Sequence, residues 1–211
     1  MKLLVFGSTG ATGKILVQQA LDQRHEVTAF ARDPGKVDIH HEHLRIVKGN
    51  ILEYATLLPA VEGQDTVISA LGIRMLGKNS IISEGTKNIL RAMEAKQVKR
   101  FICMSSVGVG ESRAQQKCLG FLYNHFVIPV LLRNMFDDKE VQEEAIMKSS
   151  LDWTIVRPVI LTNGKKTRQY TAVPPTDSSL GQKISRADVA DFLLSQMSAQ
   201  DHIKEAVSLS Y

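Results

Sequence analysis

Three glycines recur at every third position in Gly7-Ser8-Thr9-Gly10-Ala11-Thr12-Gly13, directly after the apolar run Leu3-Leu4-Val5-Phe6. A turn of this kind between a strand and a helix can cradle phosphate. Glycine lets the backbone turn sharply and approach the anion, and the helix start offers unpaired N–H groups and the positive end of its dipole. Ser8, Thr9 and Thr12 add hydroxyl donors. The spacing G-x-x-G-x-x-G differs from the more familiar G-x-G-x-x-G. Either is common as a bare pattern, and the strand before and helix after it carry the signal. The bland alternative is a structural turn. The next strand, Val27 to Ala31, ends in Arg32, with Asp33 beside it and Lys36 four residues on. In NAD sites an acid at this point bonds the ribose 2′-hydroxyl, whereas an arginine suits a 2′-phosphate. Arg32 and Lys36 therefore predict NADPH over NADH, unless both are merely solvated charges.

Other groupings carry less chemistry. His40, His41 and His43 fall in a loop with no further Cys or His at metal spacing, so no metal is expected. Asp137, Asp138, Glu140, Glu143 and Glu144 read as the charged face of a helix. Ser105-Ser106 lacks the Gly-x-Ser-x-Gly elbow of a hydrolase. Cys103 lies within Phe101-Ile102-Cys103-Met104 and reads as a small buried hydrophobe.

Elements that could hold the loop in place alternate along the chain. Lys2–Phe6, Glu26–Ala31, Leu44–Lys48, Thr66–Ala70, Arg100–Met104, Trp153–Arg157 and Ala206–Leu209 read as strands. Helical periodicity runs through Thr12–Gln23 (Ile15, Leu16, Ala20 and Leu21 on one side), Tyr54–Ala60, Ser80–Ala95, Asp137–Ser149 and Ile184–Met197, the last with a Ser185 to Asp188 capping pattern. Residues 107–135 give mixed signals, and Leu119–Phe136 reads equally as pocket wall or core. Such alternation predicts a parallel sheet covered by helices on both faces, a single α/β domain over residues 1–211.

At 211 residues, with 44% hydrophobic and 23% charged residues, the chain can bury a full core. Its net charge of +4 is spread along the chain, which argues against a nucleic-acid arm and suits an anionic cofactor. Two cysteines imply no disulfide framework. With no signal peptide or spanning segment in view, a cytoplasmic protein without a membrane partner is expected.

GSTGATG, Ala31-Arg32-Asp33, Gly49-Asn50-Ile51, Ser83-Glu84-Gly85-Thr86-Lys87-Asn88-Ile89 and Trp153-Thr154-Ile155-Val156-Arg157-Pro158 occur in this order. Together they resemble the atypical short-chain dehydrogenase/reductases, within them the NAD(P)H-binding, NmrA-like branch that includes flavin reductase (biliverdin-IXβ reductase). The resemblance implies a Rossmann-type doubly wound parallel sheet with a small C-terminal substrate-side portion. It places the cofactor's pyrophosphate on Gly7–Gly13, its 2′-phosphate on Arg32 and Lys36, and its adenine beside Asn50 and Ile51. Ala70, Leu71 and Gly72, with Arg74 just beyond, would line the ribose and nicotinamide side. Met104, Ser105 and Ser106 would stand beside the nicotinamide, and Pro158, Val159 and Ile160 would touch its carboxamide.

Most short-chain dehydrogenases pair a serine with Tyr-x-x-x-Lys, the tyrosine giving a proton to the reacting oxygen. Lys139 resembles that lysine, but Met135 stands where the tyrosine would be. Methionine transfers no proton. Tyr123 reads as a core or lid residue. The flavin reductase relatives also lack the tyrosine, and hydride delivery to a ring system needs mainly a placed nicotinamide and an open apolar pocket. Ser106 is the candidate for contact with the acceptor. Relatives carry histidines where this chain has Lys139 and Val159, so the substrate side has diverged. The expected function is an NADPH-dependent reductase, monomeric or weakly dimeric, acting on a flavin, quinone or similar planar acceptor. The alternative is an NADP(H)-binding redox sensor or regulatory protein without turnover. A sugar-nucleotide epimerase fits poorly, since those chains keep the tyrosine and a larger C-terminal lobe.

Overall fold

Apart from Leu44–Lys48, the runs read as strands are short, largely apolar and buried on both faces, as strands of a covered parallel sheet are. The computed structural model describes residues 1–72, 80–121 and 123–211. Its strands are β1 (Lys2–Phe6), β2 (Glu26–Ala31), β3 (Leu44–Lys48), β4 (Thr66–Ser69), β5 (Arg100–Met104), β6 (Asp152–Pro158), β7 (Ile160–Thr162), β8 (Thr171–Val173), β9 (Lys183–Ser185) and β10 (Glu205–Ser210). Eight of them make one sheet in the order β3-β2-β1-β4-β5-β6-β10-β8, while β7 and β9 pair separately. Every pair in the large sheet is parallel except β10 with β8. The chain winds outward from β1 through β2 to β3, then returns to β4 on the other side. That reversal is the topological switch point of a Rossmann sheet, where ligands bind beyond the carboxyl ends of the strands.

Helices α1 (Ala11–Asp22), α2 (Tyr54–Val61), α3 (Ile81–Ala95), α4 (Arg133–Met147) and α5 (Arg186–Ser195) cover both faces. Leu3, Val5, Ile68, Ile102 and Val156 point to the side of α1 and α5. Leu4, Phe6, Val67, Phe101, Cys103 and Ile155 point to the side of α2, α3 and α4. The two-residue alternation of the strands thus builds two cores.

The structure adds detail at three points. The expected parallel sheet carries one antiparallel strand at its edge, β8 against β10. Ile184 belongs to strand β9, and the helix begins only at Arg186. The capping pattern itself holds: the Asp188 N–H donates to Ser185 Oγ at 2.9 Å, one of the bonds that favour serine at this position. Third, β7, β8 and β9 have only three residues each, too few to show a period. The stretch with mixed signals contains a 3₁₀ segment over Gly110–Leu119 and a wide, π-type helix over Tyr123–Leu132 that includes Pro129. Proline supplies no N–H to the regular ladder, which explains the weak periodicity there.

Candidate cofactor site and reaction centre

The strand register lines up one row of residues at the carboxyl edge of the sheet. Phe6 pairs with both Phe30 and Ser69, Ser69 with Cys103, and Met104 with Val156. One residue beyond Phe6, Phe30, Ser69 and Cys103 stand Gly7, Ala31, Ala70 and Met104, the last level with Val156. The row continues past the strands: the Ser105 N–H donates to the Val156 carbonyl at 2.7 Å, and the Val107 N–H to that of Pro158 at 3.1 Å. Gly7, Ala70, Met104, Ser105 and Pro158, all named from the sequence, therefore share one edge.

Gly7 has φ +78°, and a Cβ there would lie 2.5 Å from the Ala70 carbonyl oxygen. A Cβ on Gly13 would strike the carbonyl of Gly7. The loop is thus pressed against the end of β4 and against its own helix, and both positions require glycine. Gly10 caps α1 without a side-chain bond, and no acid occupies the first turn. The helix start therefore keeps free N–H groups and an unopposed positive end, as an anion site needs. Ser8 is committed elsewhere. It is buried, and its hydroxyl donates to the Phe30 carbonyl at 3.0 Å, tying the loop to β2.

Arg32 is exposed at the end of β2, with no ion-pair partner among the described residues. Lys36 is exposed too and sits 3.6 Å from Asp33. Both can meet an incoming phosphate. Asn50 bonds Glu53 at 3.1 Å and the Leu52 N–H at 3.2 Å within its own turn. The Ile51 side chain is in the core, and its carbonyl accepts from Asn88 Nδ2 at 3.1 Å. Ala70 is buried, Leu71 half-buried and Gly72 exposed. Arg74 and the side chain of Tyr123 lie outside the described residues.

At the reaction end, α4 brings Lys139 under the sheet edge. Its side chain is only 4% exposed, and Nζ donates to the Met104 carbonyl at 3.2 Å. Burial lowers the Lys139 pKa, while the neighbouring Cys103, Glu143 and Asp138 oppose that shift. Met135, one turn earlier, is half-buried. Ser106 is half-buried and makes only a long bond, 3.3 Å, to the Val107 carbonyl. Ser105 is buried. Met104, Pro158 and Val159 are buried beside it and Ile160 is half-buried.

The helix read as a charged face is one only in part, at Asp137, Glu140 and Glu144. Asp138 and Glu143 are buried, whereas Glu144 faces solvent and Glu140 pairs with Arg113 at the surface. Asp138 accepts from the Ile82 and Ser83 N–H groups at 3.0 and 3.2 Å, capping α3 from another helix. Glu143 binds Arg157 through two contacts of 3.1 and 2.7 Å. A carboxylate repeated along a helix carries no mark in the sequence of which copy finds a buried partner. Cys103 is buried, and burial pushes its thiol up to about 12, so it is unreactive. Among the described residues no group of His, Cys, Asp or Glu could hold a metal ion, and no helix is long and apolar enough to cross a membrane. A groove at the opposite, amino-terminal edge includes Thr66, Arg100 and Asp152. Arg100 there is engaged by the Gln196 and Asp152 carbonyls, and the switch point is at the other edge.

The sequence profile of the NAD(P)H-binding family matches residues 7–200. The chain belongs to that family. It is 31% identical over 98% of its length to photosystem II assembly factor Ycf39 of Synechocystis, of which it spans 57%. A Rossmann-fold NAD(P)-binding family protein from Shigella flexneri superposes with a TM-score of 0.76 at 25% identity, covering 99% of this chain and 92% of that one. The anaerobilin reductase ChuY of Escherichia coli O157:H7 shares the fold, with a TM-score of 0.80 at 20% identity over 100% of this chain and 97% of its own. Membership agrees with the glycine cradle and the uncapped α1, which fit a dinucleotide's pyrophosphate.

Proposed function

We propose that the protein is an NADPH-dependent reductase that passes hydride to a small planar acceptor such as a flavin or quinone. The observation that carries this reading is a glycine cradle and an exposed Arg32 at the same end of the sheet as a buried Lys139, with Met135 where a tyrosine partner would stand. NADPH, when bound, supplies the hydride. The residues do the rest. Gly7–Gly13 and the start of α1 hold the pyrophosphate, and Arg32 with Lys36 holds the 2′-phosphate. Lys139, fixed on the Met104 carbonyl, serves the ribose side. Ser106, whose hydroxyl is only weakly engaged, meets the acceptor. Ring acceptors such as flavins can take their proton from solvent, so the absence of the tyrosine costs them little. Phe121, Phe126 and Val130 are 69%, 56% and 73% exposed on and just before the π-type helix, and offer apolar surface to a planar ring. Steady-state NADPH oxidation with FMN, riboflavin and a quinone series tests the reading. Acceptor-dependent oxidation is expected. Tight NADPH binding with no turnover on any acceptor refutes it.

That negative result is the expected behaviour of the second reading, an NADP(H)-binding regulatory protein. The relative named as an assembly factor favours it, since the likeness spans nearly the whole of this chain. Equal affinity for NADP⁺ and NADPH and a co-purifying protein partner would support it.

A further inference from the structure

Arg157 and Glu143 have side-chain exposures of 0% and 1%, and they meet at 2.7 Å. A buried pair of this kind is a poor source of stability, because desolvating both charges consumes most of their attraction, and apolar replacements are often no worse. Arg157 Nη1 also finds no partner among the described residues, a further penalty. The placement of the pair suggests another use. Glu143 lies one turn beyond Lys139 on α4, and both are buried. Arg157 immediately precedes Pro158, Val159 and Ile160. The turn after Ser106 rests on both groups: a Cβ on Gly110 would lie 3.0 Å from Glu143 Oε2 and 3.4 Å from Arg157 Nη2. Three segments that carry the reaction-side residues therefore meet at one two-pronged contact. A forked guanidinium–carboxylate contact fixes direction as well as distance.

We propose that the Arg157–Glu143 pair is a positioning clamp that sets Lys139, the Ser106 turn and the Pro158–Ile160 segment relative to one another. It rests on the cofactor placement given above, and neither residue is catalytic. The test compares wild type with the apolar double variant Glu143→Leu/Arg157→Met and with the single variant Arg157→Lys. Calorimetry measures affinity for NADPH and for 2′,5′-ADP, which carries only the adenosine phosphates. Unfolding scans report Tm, and kinetics separate kcat from KM.

The double variant is expected to melt within a few degrees of wild type and to bind 2′,5′-ADP unchanged. It should bind NADPH about tenfold more weakly, with a similar fall in kcat. Arg157→Lys keeps the charge and loses the fork, so it should show the same pattern if the double variant fails to fold. Unchanged NADPH affinity and kcat overturn the clamp. So does an equal loss of affinity for both ligands, which a merely structural pair would give. Wild type that binds NADPH but reduces nothing refutes the reductase reading alone, and the two affinities still decide the clamp. Wild type that binds neither ligand overturns the cofactor placement and the clamp with it.

Discussion

At the scale of single residues, the cofactor edge depends on side chains that are free to act. Arg32 pairs with no acid among the described residues, so its guanidinium need break no ion pair to meet a 2′-phosphate. Arg32→Ala should raise the KM for NADPH roughly 10–100-fold, the worth of one charged hydrogen-bonding contact, and leave that for NADH unchanged. Initial rates or binding isotherms with the two cofactors check this, and an unaltered preference would show that Arg32 does not read the phosphate. Gly13→Ala should abolish binding of both, because its Cβ would collide with the Gly7 carbonyl. These residues were legible because their constraint is local: a turn, a helix start, the end of one strand. Glu143 and Asp138 were not, because their partners Arg157 and Ile82 are brought to them only by the fold. Arg157 itself stands within the Trp153–Pro158 motif. An arginine set between the apolar runs Ile155-Val156 and Pro158-Val159-Ile160 was the available signal that a buried acid must exist to meet it.

At the scale of elements, the strands of the sheet's centre were legible to within a residue at each end, since each is a short, nearly continuous apolar run. Strands β7, β8 and β9 were not, being three residues long and held by long-range pairs. Helix α3 shows how such pairs act. Its own N-cap, Ser80, makes no side-chain cap bond, and Asp138 of α4 performs the task from outside. The carboxylate satisfies two buried N–H groups and complements the helix dipole. Asp138→Ala should destabilise the protein by about 2 kcal/mol, since both N–H groups would lose their acceptor inside the protein. Asp138→Asn keeps one acceptor oxygen and should lose about half as much. Urea unfolding with an unchanged m-value tests the pair. Equal stability of all three proteins would mean that water replaces the carboxylate without cost.

At the scale of the whole molecule, the C-terminal portion is gathered on one carboxylate. Asp188 accepts from the Thr167 and Arg168 N–H groups at 2.7 and 2.8 Å, the Thr167 hydroxyl at 3.0 Å, Ser185 Oγ at 2.9 Å and the Tyr211 hydroxyl at 2.8 Å. It thereby joins the loop before β8, the end of β9, the first turn of α5 and the residue after β10. Burial alone would raise its pKa, but the bonds from Arg168, Tyr211, Thr167 and Ser185 outweigh burial and hold it below the ordinary carboxylate value. A folded-state pKa below the unfolded one adds stability that is fully present above the unfolded value, near 4, and is lost as pH falls through the folded value. Asp188→Asn removes the titration while keeping the shape. The difference in unfolding free energy between wild type and this variant should be about 2–3 kcal/mol at neutral pH. It should stay constant down to about pH 5 and shrink progressively below pH 4. Chemical denaturation of both proteins across that range measures the difference directly. A gap that stays constant into acid would mean that the carboxylate's charge contributes nothing and that its five contacts act only through their geometry.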